Sequence, residues 1–272
     1  MRGNIQQRSK GSWRLRYDGP PDQRGKRKQI TETVKGTKKA AEQVLTVLKG
    51  EPARNTVNAP FVAPEVHAVL EPYIRVALVV GKLVTHLAEG QFLGVTIGYQ
   101  GEITEHDTAT LKAAVLAGVL GPVTTGQVNL INSSRLAQER GLNVTEQRNA
   151  VAQEYSSLIS ATLETTEGSI SITGTSMRNE PHIVRFNEYW MDIIPTVPYL
   201  LFVDNQDQPG SIGAVGTLAG RHNINISFME VGRLNLRGRA MMVLGLDDPV
   251  PPNVMDEINA LSHIYNARLV KL

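Results

Sequence analysis

The sequence predicts an α+β protein in three parts, and three observations carry that class. Strand-like runs fall into groups with helical patterns beside them, not in a strict βαβα alternation. The stretch 199–272 reads in the order βαββαβ. No Gly-x-Gly-x-x-Gly joins a strand to a helix, so a doubly wound dinucleotide-binding sheet is not among the folds this sequence encodes.

At 272 residues the chain has room for two or three domains, each with its own core. Hydrophobic residues make up 41% and aromatics 5%, so those cores must be aliphatic. The absence of cysteine excludes disulfides, thiolate nucleophiles and Cys-based metal sites, and fits a cytoplasmic setting. No apolar stretch approaches the ~18 residues of a membrane span, and Met1–Ile5 opens no apolar signal segment, so no membrane partner is expected. Residues 1–40 hold 12 of the 28 Lys+Arg against three acids, Asp18, Asp22 and Glu32. That balance of +9 leaves −7 for the rest of the chain, and such a step marks pieces with different partners, or simply a well-solvated N-terminus.

The N-terminal piece, 1–45, reads as a small three-stranded sheet with a helix. Ser12–Tyr17 alternates polar and apolar residues as a half-buried strand does, Arg27–Thr33 supplies a second strand and Ile5–Arg8 a third. Asp18–Asp22 is dense in turn residues. Thr37 is placed to cap a helix running from Lys38 towards Leu48. Strands presenting Arg14, Arg16, Lys26, Arg27 and Lys28 have the chemistry to follow a phosphate backbone, which makes DNA a candidate partner.

The middle piece, about 55–195, predicts an α+β domain. Helical spacing over Glu65–Ala88 is followed by a strand at Gly94–Tyr99 and an Ala-rich helix at Thr108–Leu120. A further helix is expected at Val128–Leu142, then strands at Ser156–Thr165, Ser169–Met177 and His182–Tyr189. There is no P-loop and no His-Glu-x-x-His, and the six histidines stand at no metal-ligand spacing; no metal and no catalytic residues are expected. Glu102, Glu105 and Asp107 read as a solvated loop beside a helix start.

In the last piece, Tyr199–Val203 is a buried strand and Asp204–Gly210 a polar loop closed by a Pro-Gly turn. A helix follows from Ser211, then strands at Ile224–Val231 and Ala240–Leu246 around a Gly/Arg-rich turn, a helix at Val254–Leu261 and a last strand at Ala267–Leu272. A ferredoxin-like arrangement puts both helices on one sheet face. Asn205 and Asp207 lie between the first strand and the following helix. A helix start offers N–H groups to a carboxylate, Asp207 suits an ammonium, and Asn225 offers an amide. Taken alone, a helix cap and a loop terminus account for Asp207 and Asn225 equally well.

Several stretches resemble known families. Asp207-Gln208-Pro209-Gly210-Ser211-Ile212-Gly213, followed by Asn223-Ile224-Asn225-Ile226, is similar to the signature of ACT domains, which pair edge to edge and bind amino acids between subunits. Upstream, Glu42–Leu45, Gly50–Arg54, Val57–Pro60, Asn129–Asn132, Glu139–Gly141 and Tyr155–Ile159 resemble the C-terminal half of D-3-phosphoglycerate dehydrogenases, in which an allosteric substrate-binding domain precedes the ACT domain. The likeness runs over about 230 residues. It implies an oligomer formed through the ACT domain, L-serine or a similar amino acid as ligand, and Asn205, Asp207 and Asn225 as its contacts. Asn205 stands where some relatives have Tyr or His, and His182–Trp190 holds few of the cations that some relatives use to bind anions. NAD would serve the full-length family. The nucleotide-binding and substrate domains that use it are expected before Ala41, where they are absent, so no cofactor and no dehydrogenase activity are expected of this chain.

Gly3–Ile5, Lys10–Tyr17, Gly25–Gln29 and Gly36–Glu42 resemble instead the arm-type DNA-binding domain of phage-type tyrosine recombinases, over about 45 residues. The recombinase's Arg, His and Tyr catalytic set has no counterpart here. Three readings stay open: a serine-responsive regulatory part of a phosphoglycerate dehydrogenase, a DNA-binding protein with an amino-acid-sensing ACT domain, and a fusion product without independent function.

Overall fold

The structure is a computed structural model that describes residues 3–21, 27–48, 64–152 and 154–272. The chain divides into two compact units, 1–61 and 62–272.

In the first unit, β1 (Gly3–Ser9), β2 (Ser12–Pro21) and β3 (Arg27–Lys35) form an antiparallel sheet in that order, followed by α1 (Lys38–Leu48). Of the turn expected at Asp18–Asp22, residues 18–21 extend β2 instead, because they keep pairing with β3 beyond Tyr17, and Asp22 lies outside the described residues. The Thr37 hydroxyl accepts from Ala40 N–H, as its capping role requires. Strand alternation sends Leu15 and Tyr17 to one face, where they bury with Ala41 and Leu45 of α1. Trp13 is tied down by its indole N–H, which donates to Gly36 C=O at 3.0 Å.

The second unit holds two sheets. The larger has the order β5-β4-β6-β7-β8-β9, from β4 (Phe92–Gly101), β5 (Asn143–Asn149), β6 (Ser157–Thr165), β7 (Gly168–Met177), β8 (Glu180–Phe186) and β9 (Tyr189–Ile193). Only β4 and β5 run parallel, and the crossover between them carries α3 (Ala109–Leu120) and α4 (Ser133–Glu139). The helix expected at Val128–Leu142 is thus shorter than its pattern, and β5 follows it. The strand expected at His182–Tyr189 is two strands, turned at Asn187 with φ +47°.

Helix α2 (Pro64–Leu87) crosses α3 closely enough that both helices carry glycine at the contact. A Cβ on Gly81 would strike the Val115 carbonyl oxygen, and one on Gly118 would strike that of Leu78. Thr85 Oγ1 donates to Val119 C=O at 2.9 Å across the same seam. Ten of the twelve residues of α3 are buried, which is why its sequence is apolar on every face.

The smaller sheet has the order β11-β12-β10-β13, built from β10 (Tyr199–Gln206), β11 (Ile226–Arg233), β12 (Arg239–Leu246) and β13 (Ile264–Lys271), all antiparallel. Helices α5 (Ser211–Arg221) and α6 (Pro252–Asn259) complete the βαββαβ order read from the sequence. Leu201, Val203, Met242, Leu244 and Ala267 face those helices. Leu200, Phe202, Met241, Val243 and Val270, on the other face, join the core of the larger sheet. The two expected regions 55–195 and 199–272 therefore share one apolar core where they are described. Among the described residues no helix is long and apolar enough to cross a membrane.

Candidate functional site

The site forms where β10 ends. Asn205 lies on the strand itself, not in the polar loop where the sequence placed it, because β10 keeps pairing with β12 through Gln206. Alternation turns its side chain to the helix side, in line with Leu201 and Val203. It is 2% exposed; Nδ2 donates to Gln206 C=O at 3.0 Å, and Oδ1 is buried with no hydrogen-bond partner. Ser211 Oγ donates to the same carbonyl at 3.2 Å, which seats the first residue of α5 over Asn205.

Gly210, with φ +95°, turns the chain into α5. A glycine here supplies no side-chain cap, and the Ile212 and Gly213 N–H groups take no acceptor among the described residues. Helix-start donors of this kind favour an anionic group.

Asp207 follows on the loop, 26% exposed. Its N–H donates to Gly238 C=O at 2.8 Å, so the β11–β12 turn is bonded to the loop. Gln206 adds to that tie: Nε2 donates to Arg237 C=O, and Oε1 accepts from Tyr265 O–H at 2.9 Å. One carboxylate oxygen of Asp207 accepts from Arg233 Nη1 at 3.0 Å. Arg233 is not legible as a site residue in the sequence, where it falls in the Gly/Arg-rich stretch that reads as a turn; in the structure it is the last residue of β11.

Asn225 is elsewhere. Strand register sets Asn205 level with Ala240 and Arg233, and Tyr199 level with Leu246 and Ile226. Asn225 precedes Ile226 and so stands at the opposite end of the sheet, roughly 20 Å away by the strand rise. Its Nδ2 donates to Asp247 Oδ2 at 2.6 Å. Within one chain, the structure brings Asn205 and Asp207 together and leaves Asn225 apart.

A cleft of about 860 Å³ lies between the two sheets of the second unit. Two of its arginines are matched by acids: Arg239 forks onto Asp204, with Nε 2.8 Å from Oδ1, and Arg268 meets Glu89 and Leu87 C=O. The hydrogen bond and charge of Asp204 raise the Arg239 pKa further above its ordinary value. Arg185, in the stretch read as poor in cations, lies over the Trp190 ring at 5.4 Å.

In the first unit, Arg14 and Arg16 alternate with Leu15 and Tyr17 and so project from the face opposite α1. Their neighbours across the strands are Gln6 and Thr33 for Arg14, and Asn4 and Thr31 for Arg16. Arg27 and Lys28 begin β3, and Lys26 lies outside the described residues.

Comparison with known proteins matches the second unit in two stretches. Residues 69–187 match the family model of the D-3-phosphoglycerate dehydrogenase intervening domain, and residues 199–263 match that of the ACT domain. Over 234 residues the chain is 38% identical to the D-3-phosphoglycerate dehydrogenase of Synechocystis sp., covering 85% of this chain and 42% of that protein. It is 34% identical over 232 residues to that of Methanocaldococcus jannaschii and 30% over 236 residues to that of Bacillus subtilis, covering in both cases 85% of this chain and 44% of the relative. The chain thus spans under half the length of these curated relatives, and its own residues 69–187 and 199–263 are similar to a D-3-phosphoglycerate dehydrogenase intervening domain and an ACT domain.

Proposed function

We propose that this chain supplies the serine-responsive regulatory part of a D-3-phosphoglycerate dehydrogenase of serine biosynthesis. Two copies would join along β11, so that one amino acid is held by Asn205 and Asp207 of one copy and Asn225 of the other. The carrying observation is the strand register. Asn225 and the Asn205/Asp207 loop lie at opposite ends of the sheet, and β11 pairs with β12 on one side only among the described residues. Antiparallel pairing of two β11 strands would bring the start of one beside the end of the other. The exposed side chains of Ile212 and Leu236, flanking the loop, suit a surface that a second copy covers.

In this reading the α-carboxylate takes the N–H groups of Ile212 and Gly213, and the α-ammonium takes Asp207. In the same reading, NAD-dependent oxidation of 3-phosphoglycerate is left to the part of the relatives that this chain does not cover, and none is expected of residues 1–272 alone. Calorimetry with L-serine, run beside sedimentation of the same sample, tests the proposal. Saturable binding to an even-numbered oligomer is expected, and no heat of binding would overturn it.

A second reading concerns the first unit. Arg14 and Arg16 share a sheet face with Asn4, Gln6, Thr31 and Thr33 and with no acid at those positions. Such a face suits a phosphate backbone. Gel-shift retention of duplex DNA that falls steeply with salt, and is lost in an Arg14→Ala/Arg16→Ala variant, is expected. Retention unchanged in that variant would reject this reading.

A further inference from the structure

We propose that Arg233 is the carboxylate-binding half of a clamp for zwitterions, with Asp207 as the ammonium-binding half. The inference rests on the amino-acid reading above and refines it. There the ligand's carboxylate had only backbone N–H groups to meet; Arg233 gives it a charged partner.

Arg233 ends β11 on the side of the sheet that carries Asn205, and its Nη1 donates to Asp207 Oδ2 at 3.0 Å. That is its one hydrogen bond among the described residues, so most of the guanidinium fork is unengaged. Both side chains remain accessible, Arg233 at 52% and Asp207 at 26%. An ion pair this open to water is weakly held, so a ligand can divide it.

Charge then selects the ligand. A free amine would take Asp207 and leave Arg233 without its partner; a free carboxylate would do the reverse. An α-amino acid carries both charges about one carbon apart and exchanges one ion pair for two, with no change in net charge. The spacing of the clamp is set in advance. The Asp207 N–H to Gly238 C=O bond and the Gln206 side chain on Arg237 C=O fasten the turn after Arg233 to the loop that bears Asp207.

A second observation points to a ligand at the same place. Asn205, 2% exposed, keeps Oδ1 unpartnered directly under the start of α5, and a buried amide oxygen left so is costly unless something else donates to it. In an antiparallel pairing of β11 strands, the second copy's Asn225 would also arrive beside Arg233.

Calorimetry on the full chain at about pH 6, where an α-amino group stays cationic, should use L-serine and L-serinamide, which lacks the carboxylate. Arg233→Met is expected to weaken L-serine at least about ten-fold, as loss of a charge-assisted hydrogen bond does. Arg233→Lys should recover part of that loss. L-serinamide should bind the parent chain weakly, with an affinity that Arg233→Met does not reduce. Arg233→Met binding L-serine as tightly as the parent, or more tightly, would make Arg233 a competitor for Asp207 and overturn the clamp while leaving the amino-acid site standing. No L-serine binding by the parent chain would remove both.

Discussion

Where α2 crosses α3, backbone lies against backbone and the Thr85 hydroxyl is matched; where β10 runs into α5, polar groups stay open. At the crossing, Gly81 and Gly118 let the helices close to contact, and Thr85 gives its hydroxyl to Val119 C=O. At the strand end, Asn205 buries an amide oxygen without a partner, and Gly210 leaves two helix N–H groups uncapped. Both regions depend on glycine. In the first it removes bulk so that packing can be completed; in the second it permits a left-handed turn that keeps polar groups open. The open amide oxygen and the two open N–H groups lie together at the strand end, so that is where a ligand is expected.

The largest effect should come from the crossing. On helix propensity alone, Gly118→Ala would stabilise α3 by about 1 kcal/mol. Its new Cβ, however, meets the Leu78 carbonyl oxygen and backbone of α2, not a side chain that can swing away. The net expectation is a loss of about 1–3 kcal/mol in urea unfolding, with Gly81→Ala costing a similar amount. A neutral or stabilising Gly118→Ala would break the comparison, because the crossing would then have slack.

The strand end should behave in the opposite way. Asn205→Leu replaces an under-bonded amide with a side chain suited to its neighbours Leu201 and Val203. A gain of about 1 kcal/mol in the same unfolding measurement is expected, since a buried unsatisfied polar group costs about 1–3 kcal/mol. Binding of L-serine should be lost together with that gain. Stability without binding is the signature of a residue kept for its ligand. A destabilised Asn205→Leu would instead mean that the amide is better satisfied than its surroundings indicate.

The two regions were not equally legible in the sequence. The α3 segment is apolar throughout and ends in Gly-Pro, so periodicity and punctuation placed the observed Ala109–Leu120 within a residue. Nothing in that pattern distinguishes Gly118 from any other helix-weakening glycine, because the reason for it lies on α2, 37 positions earlier at Gly81. The βαββαβ order was equally plain, and Asp207, Pro209 and Gly210 announced the loop. What could not be read was register. It puts Asn205 on the strand instead of the loop, Arg233 against Asp207, and Asn225 at the far end of the sheet. β5 escaped because Asn143–Asn149 is an exposed edge strand with little apolar alternation, held by parallel pairing to β4. The turn residues at 18–21 misled because pairing with β3 overrode local preference.

The smallest effect tests whether the matched character of α2 extends to its end. His86, in the last turn, would normally gain from the helix C-terminus as a cation. Burial, and then the Lys82 charge one turn earlier, hold its pKa below the ordinary value. The unfolded chain therefore takes up a proton first as pH falls through about 6.5, and the folded state loses stability below that point. Above it both states are neutral and the residue contributes no slope. His86→Gln should flatten the pH dependence of stability between about pH 7 and pH 5 without changing stability at neutral pH. The residue keeps much of its surface exposed, so the change should be modest beside those at Gly118 and Asn205. A slope of opposite sign, with stability rising on acidification and the rise lost in His86→Gln, would mean that the helix terminus outweighs burial and Lys82 together. The polar end of α2 would then be as well matched as its crossing with α3.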